Sequence, residues 1–445
     1  MLVPIIISFL FLIIFIPRFI IGDRIAKAIL TFYLGYCAIW FVISSMNPYG
    51  LYNVSDLVYF IQFMGIAMFT IGFLSSKRIK TINNIEINYK STFNLDKYRS
   101  VPIILIILVA ILIFYLLKYY LIIAVSINVG DARMERFMIG KLFSTWMELF
   151  FFNFVISVIA IFCLVVIANT VINEKHYNLT FYLSFIYVSI YSLIGSGRGI
   201  IIDLFIFLII LKKINQIFQI NKTGFLKKEN KYLTKISKFF LFSLLFLLAV
   251  FTLSYMTALR TNLTEINFEN LQYGFNKLTE SAVVYFVGPF RAFEFALNNN
   301  YIDKTGLLLG RGTFAGFDEL FALPLLYWGF KYNYANGILG NTLQETFINI
   351  GPDQFFNFAY TNLMIFYFDF GIFGIILFSF LFGYFFRKCI NYFQNNPNFF
   401  SLAIVLLLFK AMLISVFSWV LQSPASIIYL ISAYYLSQKC KSSNI

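Results

Sequence analysis

Apolar runs long enough to cross a bilayer recur along the whole chain, and no other feature limits its fold as severely. They fall near residues 2–21, 25–46, 54–75, 101–127, 144–171, 179–194, 200–217, 239–258, 363–386, 399–418 and 424–437. A crossing helix needs about 20 apolar residues, and lipid cannot satisfy irregular backbone, so such runs are read as helices. With 60% hydrophobic and 12% charged residues among 445, a soluble core is excluded. The expected fold is therefore all-α: a single polytopic membrane domain over 1–445 with about 11 transmembrane helices. Two further apolar stretches, Ser281 to Leu297 and Leu307 to Phe330, are interrupted by Pro289 and Pro324. They are expected as interfacial or re-entrant helices, a pair that would raise the count to about 13. The first run lacks a basic start and a small-residue cleavage site, so it is read as a retained helix.

Basic residues set the orientation, because loops rich in Lys and Arg stay on the cytoplasmic side. Strict alternation places 22 of the 34 on one side, among them Arg18, Arg24, Lys27 and the lysine-rich stretch from Lys212 to Lys238. The short loops of the other side hold only Arg133, Arg136, Lys141 and Arg198, while Lys118 and Lys410 fall in spans. This puts the N-terminus outside, the C-terminus inside, and residues 259–362 in one long extracytoplasmic segment. The net charge of +14 is then mainly an inner-leaflet feature, attracted to anionic membrane lipids. No motif that reads DNA or RNA accompanies it, so nucleic acid is not an expected partner. Cys37, Cys163, Cys389 and Cys440 show no CxxC spacing and none lies in the long segment, which argues against a disulfide framework or zinc site. The sequence also lacks a P-loop, a GxGxxG fingerprint, a GxSxG elbow and metal-ligand spacings, so neither cofactor nor metal is implied.

The choice between the two basic residues reverses across the membrane. The cytoplasmic set holds 17 Lys and five Arg, the outer set four Lys and six Arg: Arg133, Arg136, Arg198, Arg260, Arg291 and Arg311. Arg offers a planar fork that matches phosphate oxygens in pairs, so its retention outside points to an anion. Gly195-Ser196-Gly197-Arg198-Gly199 joins two apolar runs and reads as a tight turn opening a helix. Free amides, a positive helix end and a guanidinium would meet an anion there; alternatively, the arginine of a plain hairpin would sit among headgroups. The leading anion-binding candidates are Arg198, Arg260, Arg291 and Arg311. Glu294, Asp318 and Glu319 are the best-placed general bases, since apolar surroundings raise a carboxyl pKa toward useful values. His176, the sole histidine, falls on the cytoplasmic side and cannot serve as that base. Within the spans, Asp203, Asp369 and Lys410 are costly in hydrocarbon and need partners. Counting helical rise brings Asp369 and Lys410 to similar depth, which predicts an ion pair; Asp203 is placed to orient Arg198.

From about Tyr191 onward the chain resembles the Wzy-type oligosaccharide repeat unit polymerases of bacteria, which make O-antigen and capsule. The likeness rests on Gly195 to Gly199, on Tyr285-Phe286-Val287-Gly288-Pro289-Phe290 with Arg291, and on Asn357 through Tyr360-Thr361 to Tyr367-Phe368-Asp369-Phe370-Gly371-Ile372-Phe373-Gly374. The family often has Ser directly before Arg, where Gly197 stands here. The resemblance implies a multi-pass protein of the bacterial cytoplasmic membrane that joins undecaprenyl-diphosphate-linked oligosaccharides on the outer face. It also implies a chain-length regulator and a flippase as partners. On this resemblance Arg198, Arg260, Arg291 and Arg311 would bind the diphosphate and Glu294, Asp318 or Glu319 would deprotonate the attacking hydroxyl, without a metal. Two alternatives remain: an O-antigen ligase, which usually relies on a histidine that the long segment lacks, and a flippase of the same lipid-linked sugars.

Overall fold

The computed structural model describes residues 2–76, 100–125, 140–173, 178–195, 199–223, 250–251, 254–255, 257, 267–343, 348–352, 354–356, 361–416 and 418–442. Ten of the eleven apolar runs are helical. The first seven form α1 (Leu2–Ile20), α2 (Arg24–Ser45), α3 (Asp56–Ser75), α4 (Ser100–Val125), α5 (Trp146–Phe151) continued by a π turn (Phe152–Ile156) into α6 (Ser157–Asn173), α7 (Leu179–Gly195) and α8 (Gly199–Thr223). The eighth run, 239–258, falls largely outside the described residues. The long segment carries α9 (Phe268–Asn298), α10 (Tyr301–Thr305), α11 (Ala315–Tyr327), α12 (Ala335–Leu343) and a hairpin, β1 (Ile348–Gly351) and β2 (Gln354–Phe356). The chain then returns through α13 (Asn362–Asn395), α14 (Phe399–Ile414) and α15 (Pro424–Ser442).

Among the described residues, five helical stretches are long and apolar enough to cross a membrane: Arg24–Ser45, Asp56–Ser75, Ser100–Ala124, Trp146–Ile172 and Asn362–Asn395. Only 22% of the apolar window of Ser100–Ala124 is covered by protein, so most of that helix presents Ile and Leu to lipid. The architecture is that of a helical, membrane-embedded protein. The one departure from all-α among the described residues is the hairpin, antiparallel with Ile348 opposite Phe356 and Asn349 opposite Phe355. Its Ile350 carbonyl accepts from the Tyr52 amide at 2.8 Å, tying it to the turn between α2 and α3.

Helix starts follow local chemistry. Asp23 caps α2 through the Ile25 amide, Asn267 caps α9 through Asn270, and Thr361 caps α13 through Met364. Asn398 and Ser401 form a reciprocal capping box at α14. Asp23 serves a second purpose, since its other oxygen receives Arg387 Nη1 and Gln394 Nε2, each at 2.9 Å, and so fastens α2 to the far end of α13.

The closest packing joins α3 to α13. A Cβ on Gly72 would lie 2.0 Å from the Phe380 carbonyl oxygen, and one on Gly383 would lie 2.0 Å from that of Phe69. Small residues at such a crossing let two backbones approach where lipid supplies no hydrophobic drive. Helix α13 is itself broken: Phe370 has φ −145° and ψ 27°, and Gly371 has φ 62° and ψ −144°. Only glycine adopts the latter conformation without strain. Gly371→Ala is therefore expected to destabilise the protein by about 1–3 kcal/mol. A lowered thermal unfolding midpoint of the purified variant checks this; an unchanged midpoint would show that the backbone does not hold the break.

Candidate functional site

The break in α13 places Asp369 at its corner. This carboxylate is fully buried. Oδ1 accepts from the Gly312 amide at 2.8 Å, and Oδ2 from the Thr313 amide at 2.7 Å and the Thr313 hydroxyl at 2.5 Å. The carbonyls freed just before the break are also taken up: Phe368 O accepts from Leu308 N at 3.0 Å and Asp369 O from Leu309 N at 3.2 Å. Residues 308–313 thus wrap the helix corner. Trp419 Nε1 closes the wrap by donating to the Thr313 carbonyl at 2.7 Å. Leu309 (φ 54°) and Gly310 (φ 89°) then turn the chain so that Arg311 projects away from the buried side.

The expected pair between Asp369 and Lys410 is not formed. Lys410 Nζ lies 2.5 Å from Asp203 Oδ2 instead. Comparable depth does not fix a pair: the Asp369 carboxylate faces the donors of residues 312 and 313, and Lys410 faces Asp203. Asp203 is thereby committed to Lys410, while Arg198, its expected partner, lies outside the described residues, as do Arg260, Arg133, Arg136 and His176.

Arg311 leads into a polar cluster built by α11, α12 and the turn between them. Its Nε and Nη2 grip Asp318 as a fork at 3.1 and 3.2 Å, Nη2 also donates to the Asn333 carbonyl, and the guanidinium lies over the Tyr332 ring. Nη1 makes no hydrogen bond among the described residues, and the side chain is 37% exposed, so one edge of the fork faces outward. Asp318 also accepts from the Tyr332 hydroxyl and from the Ala335 amide, both at 2.6 Å, which sets a negative charge at the start of α12. Burial pushes its carboxyl upward, but these donors and the Arg311 charge outweigh that and hold it below the ordinary aspartate value. Asp318 is thus a fixed anion.

Glu319, one residue on, differs. Burial raises its carboxyl, the Asp318 charge raises it further, and the single bond from Asn336 Nδ2, 2.7 Å from Oε2, only partly offsets them. Asn336 in turn donates to the Gln422 carbonyl at 3.0 Å, linking the cluster to the start of α15. Glu319 combines a raised pKa with a single side-chain donor, the condition for taking up a proton, whereas Asp318 is held as an anion.

Arg291 and Glu294 belong to a separate hub. Arg291 is 4% exposed, and all its donor nitrogens are spent on protein acceptors: Tyr52 O, Ser44 Oγ, Ser44 O, Val287 O and Asn47 Oδ1. Arg291 was expected among the diphosphate-binding residues; here the turn between α2 and α3 folds over the guanidinium and protein acceptors engage its nitrogens. Glu294 Oε1 accepts from the Ser55 amide at 3.1 Å, ahead of α3. The stretch Tyr285 to Phe290 serves the same joint, with Phe286 stacked on Trp40 and Phe290 against Phe41 and Tyr59.

Thr313, Tyr332, Asn336, Gln422 and Trp419 escaped the reading from sequence. One signal was present: Gly310-Arg311-Gly312 repeats the Gly197-Arg198-Gly199 tripeptide. No family model, curated protein or solved structure matches the chain.

The depressed Asp318 pKa fixes a pH dependence. A carboxylate held below its unfolded value adds stability at pH above about 4, and that stability is lost as pH falls through the unfolded and then the folded pKa. Asp318→Asn is expected to cost about 1–2 kcal/mol at pH 7, discounted for the half-exposed arginine, and to flatten the acid limb of stability against pH. Thermal unfolding between pH 3 and 7 measures both effects.

Proposed function

We propose that the protein is a membrane glycosyltransferase whose donor carries an anionic leaving group. Within that class, the reading supported best is polymerisation of undecaprenyl-diphosphate-linked oligosaccharide repeat units on the outer face of a bacterial cytoplasmic membrane. The observation that carries it is the pairing, in one cluster pinned by Asp369, of an outward guanidinium edge on Arg311 with a carboxyl of raised pKa at Glu319. The two groups have the roles that such a transfer needs. A sugar hydroxyl of the acceptor attacks the anomeric carbon of the donor, its proton passes to Glu319, and undecaprenyl diphosphate departs with the electron pair of the broken bond. Preorganised guanidinium charge lowers the barrier to that departure. Asp369 acts through the loop that carries Arg311, and Asp318 fixes the direction of the fork. Arg198 and Arg260 remain further candidates for the diphosphate.

A transporter reading has one observation in its favour, since broken helices at membrane depth are common in transporters. The Phe368 and Asp369 carbonyls freed by the break accept from the Leu308 and Leu309 amides, however, and line no open path among the described residues. A ligase reading lacks its histidine, as no His occurs between residues 259 and 362.

Deleting the protein is expected to leave single lipid-linked units on the outer leaflet. Arg311→Ala or Glu319→Gln, at normal membrane levels, is expected to cut polymer by roughly 10²-fold. In isolated membranes the rate should fall with acid as Glu319 takes up its proton. Single units trapped inside after deletion, or full-length polymer from both variants, contradict the reading.

A further inference from the structure

A cleft of about 20 Å³ opens between α2, α3, α13 and α14, away from the Arg311 cluster. Its walls are largely aromatic, with Tyr33, Phe41, Phe69, Phe290 and Phe382 around it, and no charged side chain lines it among the described residues. Four neutral polar side chains on its lining are each more than nine-tenths buried: Gln62 at 8%, Asn362 at 7%, Ser379 at 2% and Ser415 at 3% exposure, of which Ser415 already donates its hydroxyl to the Met412 carbonyl. The Ser379 hydroxyl has no hydrogen bond among the described residues, and the Gln62 amide lines the cleft without a protein partner among them. Asn362 uses its Oδ1 on the Leu363 amide, which leaves its amide nitrogen unengaged.

Buried polar groups are almost always paired, because leaving one unpaired forfeits its hydration without return. Polar groups from α3 and from both sides of the α13 break converging on one small space share a common missing partner. The volume matches a single water-sized group, since about 10–15 Å³ suffices for one and an organic ring needs far more. An amide, which both donates and accepts, beside a hydroxyl calls for a guest that also does both. The absence of any charge in the lining rules out phosphate and carboxylate.

We infer that this cleft binds one neutral hydroxyl group, bridging Gln62, Asn362 and Ser379 across α3 and the broken helix. The hydroxyl comes from water or from a sugar edge inserted through the open side. This inference stands whether or not the polymerase reading does. The guest would be the polar joint of a helix pair whose other contacts are glycine and aromatic rings.

The test uses the purified full-length protein in detergent micelles. Gln62→Met and Ser379→Ala are each expected to lower the thermal midpoint by about 1–3 °C. The double variant should lose less than the sum, as both changes remove the same guest. Midpoints that stay unchanged or rise would overturn the inference, because removing an unpaired group from an empty cleft relieves its burial cost. Methyl α-D-glucoside separates the sources. A rise in the wild-type midpoint exceeding that of Gln62→Met assigns the hydroxyl to a sugar; equal responses with the variant losses intact assign it to water. A high-resolution density map of the wild type gives the independent check, with a peak within hydrogen-bonding distance of Gln62 and Ser379 expected and its absence contradicting the claim.

Discussion

The buried carboxylate of Asp369 decides how the long segment meets the helical bundle. A charge in this position is tolerated only when donors surround it, and here two amides and a hydroxyl do so. Each charge-assisted bond contributes about 1.5–3 kcal/mol, and none requires a second charge to be taken out of water. An ion pair with Lys410 would have required that, with desolvation offsetting much of the attraction. The loop therefore wins the carboxylate, and Lys410 settles on Asp203. From this one choice follow the course of residues 308–313, the projection of Arg311, and the attachment of α11 and α12 through Asp318.

The broken helix supplies the rest of the condition. Gly371 interrupts α13 two residues beyond the aspartate, so two carbonyls become available beside the carboxylate, and the same loop occupies them. Asp-Phe-Gly thus works as a physical unit: acid, spacer and backbone break. At the other end of the segment, Arg291 holds α9 to the turn after α2 through acceptors alone. One arginine is enclosed as a strut and one is left with an open edge. The distinction comes from what folds over each.

Much of the helical framework was legible because hydrophobic runs of spanning length admit few alternatives. The run at 144–171 and the helices Trp146–Phe151 and Ser157–Asn173 differ by only a residue or two at their ends. Helix α13 extends past the apolar run to Asn395, since its last turns are amphipathic and carry Arg387 to Asp23. The hairpin was hidden because Asn349, Gln354 and Gly351 break any alternation that three or four residues could display. At the candidate site, residue types were visible but partners were not. Arg291 and Arg311 look alike in sequence, as do Asp318 and Glu319, and only tertiary neighbours separate strut from open fork and fixed anion from raised carboxyl. The Asp369 partner was misplaced for a definite reason: similar depth says neither which face an acid occupies nor that loop amides will reach it first.

Amide hydrogen exchange on the purified protein tests the central claim most directly, by comparing the wild type with Asp369→Ala over peptides spanning residues 308–314 and 399–414. With the carboxylate as anchor, the first peptide should exchange at least about tenfold faster in the variant, while the second, in α14, keeps its protection. Equal protection of residues 308–314 in both proteins would show that the loop is held by something other than Asp369.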